Sequence, residues 1–221
     1  MTRVVIPSPL ALAKPRGLLL DAMGTLIGLR RSVGNTYAEL AADHGIAAEA
    51  EAIDRAFAAV YPQAPPLAFP GLAGEALLEA ERRWWGERIA EVFSASGACS
   101  STPNLERELF DRFADAGLWQ IYPDVIEPLR RWHEAGLRLA VVSNFDQRLG
   151  AILAGLELDG LLETVIVSSA AGAAKPSPIP LQLAIEAIGL QPSEVWHVGD
   201  SPEDEQAAMA AGVICLRILR P

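Results

Sequence analysis

Two hydrophobic rhythms alternate along the chain, and the points where one gives way to the other mark its organisation. Residues 17–26 read GLLLDAMGTL. An apolar run with no polar residue before its carboxylate is the pattern of a strand covered on both faces. It delivers Asp21 to the strand's carboxyl end, with Gly24 allowing a tight turn just beyond. From Leu26 to about Trp119 the apolar positions take helical spacing, and no strand is expected there. Helices are predicted over 37–45, 49–61, 74–96 and 105–116, with the Pro- and Gly-rich stretch 62–74 as a loop. Apolar positions at Leu77, Leu78, Trp84, Trp85, Ile89, Val92 and Phe93 suit a small four-helix bundle.

From Pro123 the rhythm becomes helix then strand, repeatedly, which marks a parallel sheet with crossover helices. A helix over 125–135 precedes a strand over 138–142 that delivers Ser143 and Asn144. After a helix over 147–154 come a strand over 164–167, a loop holding Lys175 and a helix over 178–188. A strand over 195–198 delivers Gly199 and Asp200, and a helix over 205–211 and a strand over 213–216 close the pattern. With 18–20 this makes five parallel strands. The expected fold is α/β, a Rossmann-like five-stranded core built from residues 1–27 and 120–221 with helices on both faces, interrupted by a helical bundle at 28–119.

Composition narrows the partners. Net charge is −10 and the arginines are scattered, so no basic stripe is offered to a nucleic-acid backbone. No apolar run is long enough to span a bilayer, and Pro7, Pro9, Lys14 and Pro15 break any signal-like core, so the first dozen residues are expected to be a frayed tail. Cys99 and Cys215 match no metal spacing and need not pair, which fits a reducing cytoplasm. Trp84 and Trp85 suit either the bundle core or a dimer face, leaving monomer and homodimer open. His44, His133 and His197 have no ligand spacing and read as surface or packing residues.

Four strand ends or nearby loops thus present Asp21, Ser143, Lys175 and Asp200. Ligands bind outside the carboxyl ends of such strands, so Asp21 is either a nucleophile or the cap of the following turn. Two carboxylates from separate strands suit a hard octahedral Mg²⁺ carrying a phosphoryl oxygen. The metal and the Lys175 ammonium would offset the repulsion between a phosphate and an aspartate, while Ser143 and backbone N–H groups take the remaining oxygens. Lys175 is one of two lysines in a chain otherwise served by arginine; either a compact ammonium is required there or a rare residue fell there by chance.

In their order these motifs resemble those of the haloacid dehalogenase superfamily of hydrolases: DAMGTL at Asp21, VVSN ending at Asn144, AKPSP around Lys175, and VGDSPEDE from Val198. The resemblance spans nearly the whole chain. It implies that the inserted bundle is a cap that closes on the site. It also implies that the metal is held by Asp21, the backbone carbonyl of Met23, and Asp200 with Asp204 or Glu205. Asn144, Gly24 and Thr25 fall at phosphate-binding positions beside Ser143, and the substrate would be a small phosphorylated molecule.

One departure stands out. Family phosphatases usually carry an acid two residues after the nucleophile, and here that residue is Met23, whose thioether shuttles no proton. Met23 leaves three explanations open: a leaving group that departs unprotonated, a proton from elsewhere, or lost activity. Three functions follow. The first is a Mg²⁺-dependent phosphatase acting through an aspartyl-phosphate. The second is a catalytically muted protein that binds a ligand or partner. The third, disfavoured by the second aspartate, is a 2-haloacid dehalogenase.

Overall fold

In the computed structural model, which describes residues 2–5 and 14–220, the expected alternation is present with additions. β1 (Arg3–Val5) precedes β2 (Gly17–Leu20), and a short β3 (Ile27–Leu29) follows the turn after Asp21. Then come α1 (Val33–Asp43), α2 (Ala50–Val60), α3 (Gly74–Ser96) and α4 (Pro103–Arg112). β4 (Trp119–Ile121), α5 (Ile126–Glu134), β5 (Arg138–Ser143), α6 (Arg148–Gly155), β6 (Thr164–Val167) and the one-turn α7 (Ser168–Ala171) follow. α8 (Ile179–Ala187), β7 (Val195–Gly199), α9 (Pro202–Ala211) and β8 (Ile214–Leu219) complete the chain.

The main sheet has the order β1-β8-β7-β2-β5-β6, with β2, β5, β6, β7 and β8 parallel and β1 added antiparallel along β8. β2 lies at its centre, and its unbroken apolar run has a direct cause. Leu18 and Leu20 face one layer, with Leu129 of α5 and Leu149 and Ile152 of α6. Leu19 faces the other, with Leu181 and Ile185 of α8 and Ala207 and Ala208 of α9. A strand covered on both faces has no position free for a polar residue until it ends, at Asp21. The four inserted helices close on a cluster of their own, in which Tyr37, Ile53, Phe93, Leu105 and Leu109 are buried.

Two expectations are corrected. The stretch 26–119 does contain a strand: β3 pairs antiparallel with β4 in the register Ile27↔Ile121, Gly28↔Gln120 and Leu29↔Trp119, forming a two-stranded ribbon where the chain leaves and rejoins the sheet layer. Three residues are too few for a period to show against the helical pattern that follows. The expected frayed tail includes β1, while residues 6–13 lie outside the described residues. Capping moves two helix starts. Ser32 accepts from the Asn35 amide and opens α1 ahead of position 37. Ser201 forms a capping box with Asp204 and opens α9 at Pro202, so Asp204 sits in a helical first turn.

Candidate active site

β2 and its parallel neighbours end on one edge of the sheet, and four of the predicted groups meet there. Lys175, in the loop after α7, is buried and its ammonium donates to three acceptors: Asp21 Oδ1 at 2.7 Å, Asp204 Oδ1 at 2.6 Å and the Val142 carbonyl at 3.0 Å. Three donors on a compact head match three converging oxygens, a fit that a planar guanidinium would not reproduce. The Ser143 hydroxyl, at the end of β5, donates to the same Asp21 Oδ1 at 3.2 Å. Asp21 Oδ2 accepts from no side chain among the described residues, so one oxygen of Asp21 is anchored and the other is free.

Asp200 follows β7, and the Thr25 hydroxyl donates to its Oδ1 at 3.3 Å. Two glycines make room for these carboxylates. A Cβ on Gly24, whose φ is +83°, would lie 2.3 Å from Asp200 Oδ2, and one on Gly199 would lie 2.2 Å from the Asp204 carboxyl carbon. No larger residue fits either place without driving an aspartate out of the cluster. Carboxylate oxygens of Asp21, Asp200 and Asp204 lie within 4.8 Å of one another.

Not every predicted residue plays its expected part. Glu205 is outside the acidic cluster; it pairs with Arg217 at 3.3 Å near the surface, because one helical step past Asp204 turns its side chain away. The Asn144 amide is engaged with Lys175, accepting from its backbone N–H at 2.7 Å and donating to its carbonyl at 2.9 Å, so it fixes the loop instead of facing a ligand. The Gly24 and Thr25 amides are spent inside the turn, on the carbonyls of Ile27 and Ala22. Asp204 is saturated: beside Lys175, its Oδ1 meets His197 Nε2 at 2.8 Å, and its Oδ2 accepts from the Ser201 amide and hydroxyl. Asp21 and Asp200 are the carboxylates with oxygens to spare.

Two residues had escaped notice. His197, read as a packing residue, is fully buried and spans the Leu19 carbonyl and Asp204, so it positions the carboxylate that holds Lys175. Its signal was a polar residue inside the apolar run VWHVG. Arg220, beyond β8, donates to the carbonyls of Gly24 and Thr25 and to Asp124, and lies 3.8 Å over the Tyr122 ring, bracing the turn after Asp21. Nothing local to Arg220 predicts that contact.

Charge in this pocket is unbalanced. Burial opposes the Lys175 charge, but Asp21 and Asp204 outweigh it and hold the ammonium above its usual range. Asp204, despite burial, is held well below the carboxylate range by its hydrogen bonds and charge contacts with His197 and Lys175. Asp21 is pushed up by burial and by Asp204, since one ammonium serves two carboxylates. Asp200 is pushed up by burial and by both neighbouring aspartates. Three carboxylates against one ammonium leave negative charge that a divalent cation would neutralise, and hard oxygen donors fit such an ion.

Lys175→Met should therefore destabilise the protein by about 3–5 kcal/mol at neutral pH, the usual cost of removing one partner of a buried ion pair. The loss should narrow in acid. Without the ammonium, Asp21, already pushed up by burial, would hold its proton still more tightly folded than unfolded, so stability would fall as pH rises through its raised value. In the wild type Asp204 acts oppositely: its depressed value contributes stability that is present above its unfolded pKa and is lost as pH falls through the folded one. Urea unfolding of both proteins across pH checks the signs.

Beside the cluster, between the helical insertion and the sheet edge, lies a cavity of ≈ 150 Å³. Met23, Asn144 and Phe145 line it on the sheet side, and Tyr61, Trp85 and Phe110 on the helical side. Arg148 reaches its wall paired with buried Asp146 at 2.7 Å, which also accepts from Trp85 Nε1 at 2.7 Å. Buried Glu81 of α3 binds the Gln147 amide at 3.2 Å across the same seam.

Comparison with known proteins agrees with this architecture. The family described as haloacid dehalogenase-like hydrolase matches residues 15–212. The chain is 36% identical over 202 residues to the mouse haloacid dehalogenase-like hydrolase domain-containing protein 3, covering 90% of this chain and 79% of that one. It is 32% identical over 209 residues to a phosphoglycolate phosphatase of Pectobacterium atrosepticum, covering 89% and 77%. The L-2-haloacid dehalogenase of Xanthobacter autotrophicus with chloropropionic acid covalently bound shares the fold at a TM-score of 0.68 and 21% identity, over 91% of this chain and 76% of that one. With the motifs meeting at one sheet edge and the match running through nearly all of the sequence, the chain belongs to the haloacid dehalogenase-like hydrolases.

Proposed function

We propose that the protein is a Mg²⁺-dependent phosphatase of a small phosphorylated molecule, with Asp21 as the nucleophile. The observation that carries this reading is the arrangement of Asp21: Oδ1 is anchored by Lys175 and Ser143, and Oδ2 is free beside a cluster of three carboxylates. A phosphatase among the relatives supports it. Asp21 and Asp200, with the Met23 carbonyl, would hold the metal, and Asp204 would act behind them by fixing Lys175. When bound, Mg²⁺ supplies positive charge that lets a phosphate dianion approach a carboxylate. Lys175 serves the same end from the protein side, and Ser143 keeps Asp21 turned towards the opening.

Residues 28–119 would be the cap, closing over the ester through the β3–β4 ribbon, with core at 1–27 and 120–221. The dehalogenase reading is less well supported, since a carboxylate substrate would face three aspartates. Its charge would find Lys175 and Arg148, both already matched by aspartates.

Phosphate release from acetyl phosphate with Mg²⁺, and its loss on chelation, is the expected result. Absence of release in both conditions would sink the phosphatase reading. A second measurement reads the metal without turnover. Asp21 and Asp200 are destabilising when ionised without a counter-ion, so Mg²⁺ should raise the melting temperature, and by more at neutral pH than in acid, where their raised values leave them partly protonated.

A further inference from the structure

The cavity beside the Asp21 cluster carries chemistry that the phosphatase reading leaves unused. Eight of its 15 lining residues are aromatic, and only Asn144 and Arg148 carry an amide or a charge. Both are committed. Asn144 is bonded twice to the Lys175 backbone. Arg148 directs Nε and one terminal nitrogen to Asp146 and the other to the Phe110 carbonyl at 2.6 Å, with its face stacked on the Phe110 ring at 3.9 Å. The indole N–H of Trp85 is spent on Asp146. A sugar or a glycolate would thus lose water there and find, among the described residues, only the hydroxyls of Tyr37 and Tyr61 unspent in exchange. An apolar cavity of about 150 Å³ holds one benzene ring.

Met23 adds a second, independent constraint. It lines the cavity two residues after Asp21, where the family resemblance implies the acid would stand, and it has no proton to give.

We propose that the substrate carries its phosphate on a leaving group with a single benzene-sized apolar ring that departs as a stable anion: an aryl or aroyl phosphate. This rests on the phosphatase reading and names its substrate class. Asp21 Oδ2 forms a bond to phosphorus as the bond from phosphorus to the leaving oxygen breaks. The electron pair stays on that oxygen, which leaves as a phenolate or carboxylate with no proton transferred. Water then attacks the aspartyl-phosphate, both of its hydrogens departing on inorganic phosphate, and the Asp21 carboxylate is restored. The ring occupies the cavity, with its leaving oxygen towards Met23.

Benzoyl phosphate and acetyl phosphate expel carboxylates of similar basicity and differ in the ring, so their comparison isolates the cavity. With Mg²⁺, kcat/KM for benzoyl phosphate should exceed that for acetyl phosphate by roughly ten- to a hundredfold, the range expected for burying a phenyl ring. Filling the cavity with Leu29→Trp, or with Val33→Phe if the first variant fails to fold, should bring the ratio close to one. Equal hydrolysis of both esters by the wild type would overturn the inference and leave the phosphatase reading standing. If neither ester is cleaved, the phosphatase reading falls, and calorimetry decides for the cavity. At least about tenfold tighter binding of phenylphosphonate than of methylphosphonate upholds the ring pocket, whereas equal affinities overturn it.

Discussion

Replacing Asp21 with Asn is expected to abolish phosphate release while leaving the fold intact. Loss of a nucleophile typically costs on the order of 10⁴–10⁶ in kcat, and no other carboxylate here has its geometry. Asp204 is bonded on both oxygens, and Asp200, packed against Gly24, is held by the Thr25 hydroxyl and not by the Lys175 ammonium that anchors Asp21. Neither can take over. The substitution also removes a buried negative charge that burial and Asp204 already oppose. The variant should therefore unfold at a urea concentration no lower than the wild type by more than the loss of one charge contact to Lys175 would cause. A variant that still released phosphate at the wild-type rate would show that chemistry starts elsewhere.

Met23→Asp should act in the opposite direction, and only on some substrates. An aspartate at this position would stand two residues past the nucleophile, on the cavity wall, able to protonate a departing alkoxide. General acid catalysis is worth about 10²–10⁴ in rate. The gain should appear for alkyl phosphates, whose leaving groups need a proton, and should be small for acyl phosphates, whose leaving groups do not. Met23 is 43% exposed, so the new carboxylate would keep contact with water, and little stability should be lost. A rate series across esters of graded leaving-group basicity reads this directly. The wild type should fall steeply as the leaving group becomes more basic, and the variant should fall less. Parallel slopes would mean that Met23 does not occupy the acid's place.

Much of this site was legible before any coordinates. Asp21, Ser143, Lys175 and Asp200 each end or follow a strand whose apolar run makes the polar residue conspicuous, and the four do converge. The helices of the insertion were legible from their spacing. What stayed hidden depended on direction or on distance along the chain. Glu205 and Asp204 are neighbours in sequence, yet a helical turn that begins at Pro202 sends one to the surface and the other under Lys175. The β3–β4 ribbon joins residues about ninety positions apart and has too few residues to show a period. Arg220 reaches the turn after Asp21 from nearly two hundred residues away.

By itself, then, the sequence determined the family, the alternation of strands and helices in an α/β core, and which polar residues stand at the strand ends. Each follows from local patterns: which positions are apolar, and which polar residue interrupts them. Only the tertiary structure decided which oxygens are free, which are spent, and what kind of surface faces the departing group. Those are properties of side chains meeting across the fold. The pairing of Arg148 with Asp146 and the closing of Asn144 on Lys175 turn an otherwise polar mouth into an apolar one. Neither contact can be read from one stretch of chain, because each partner is fixed by packing against a different layer.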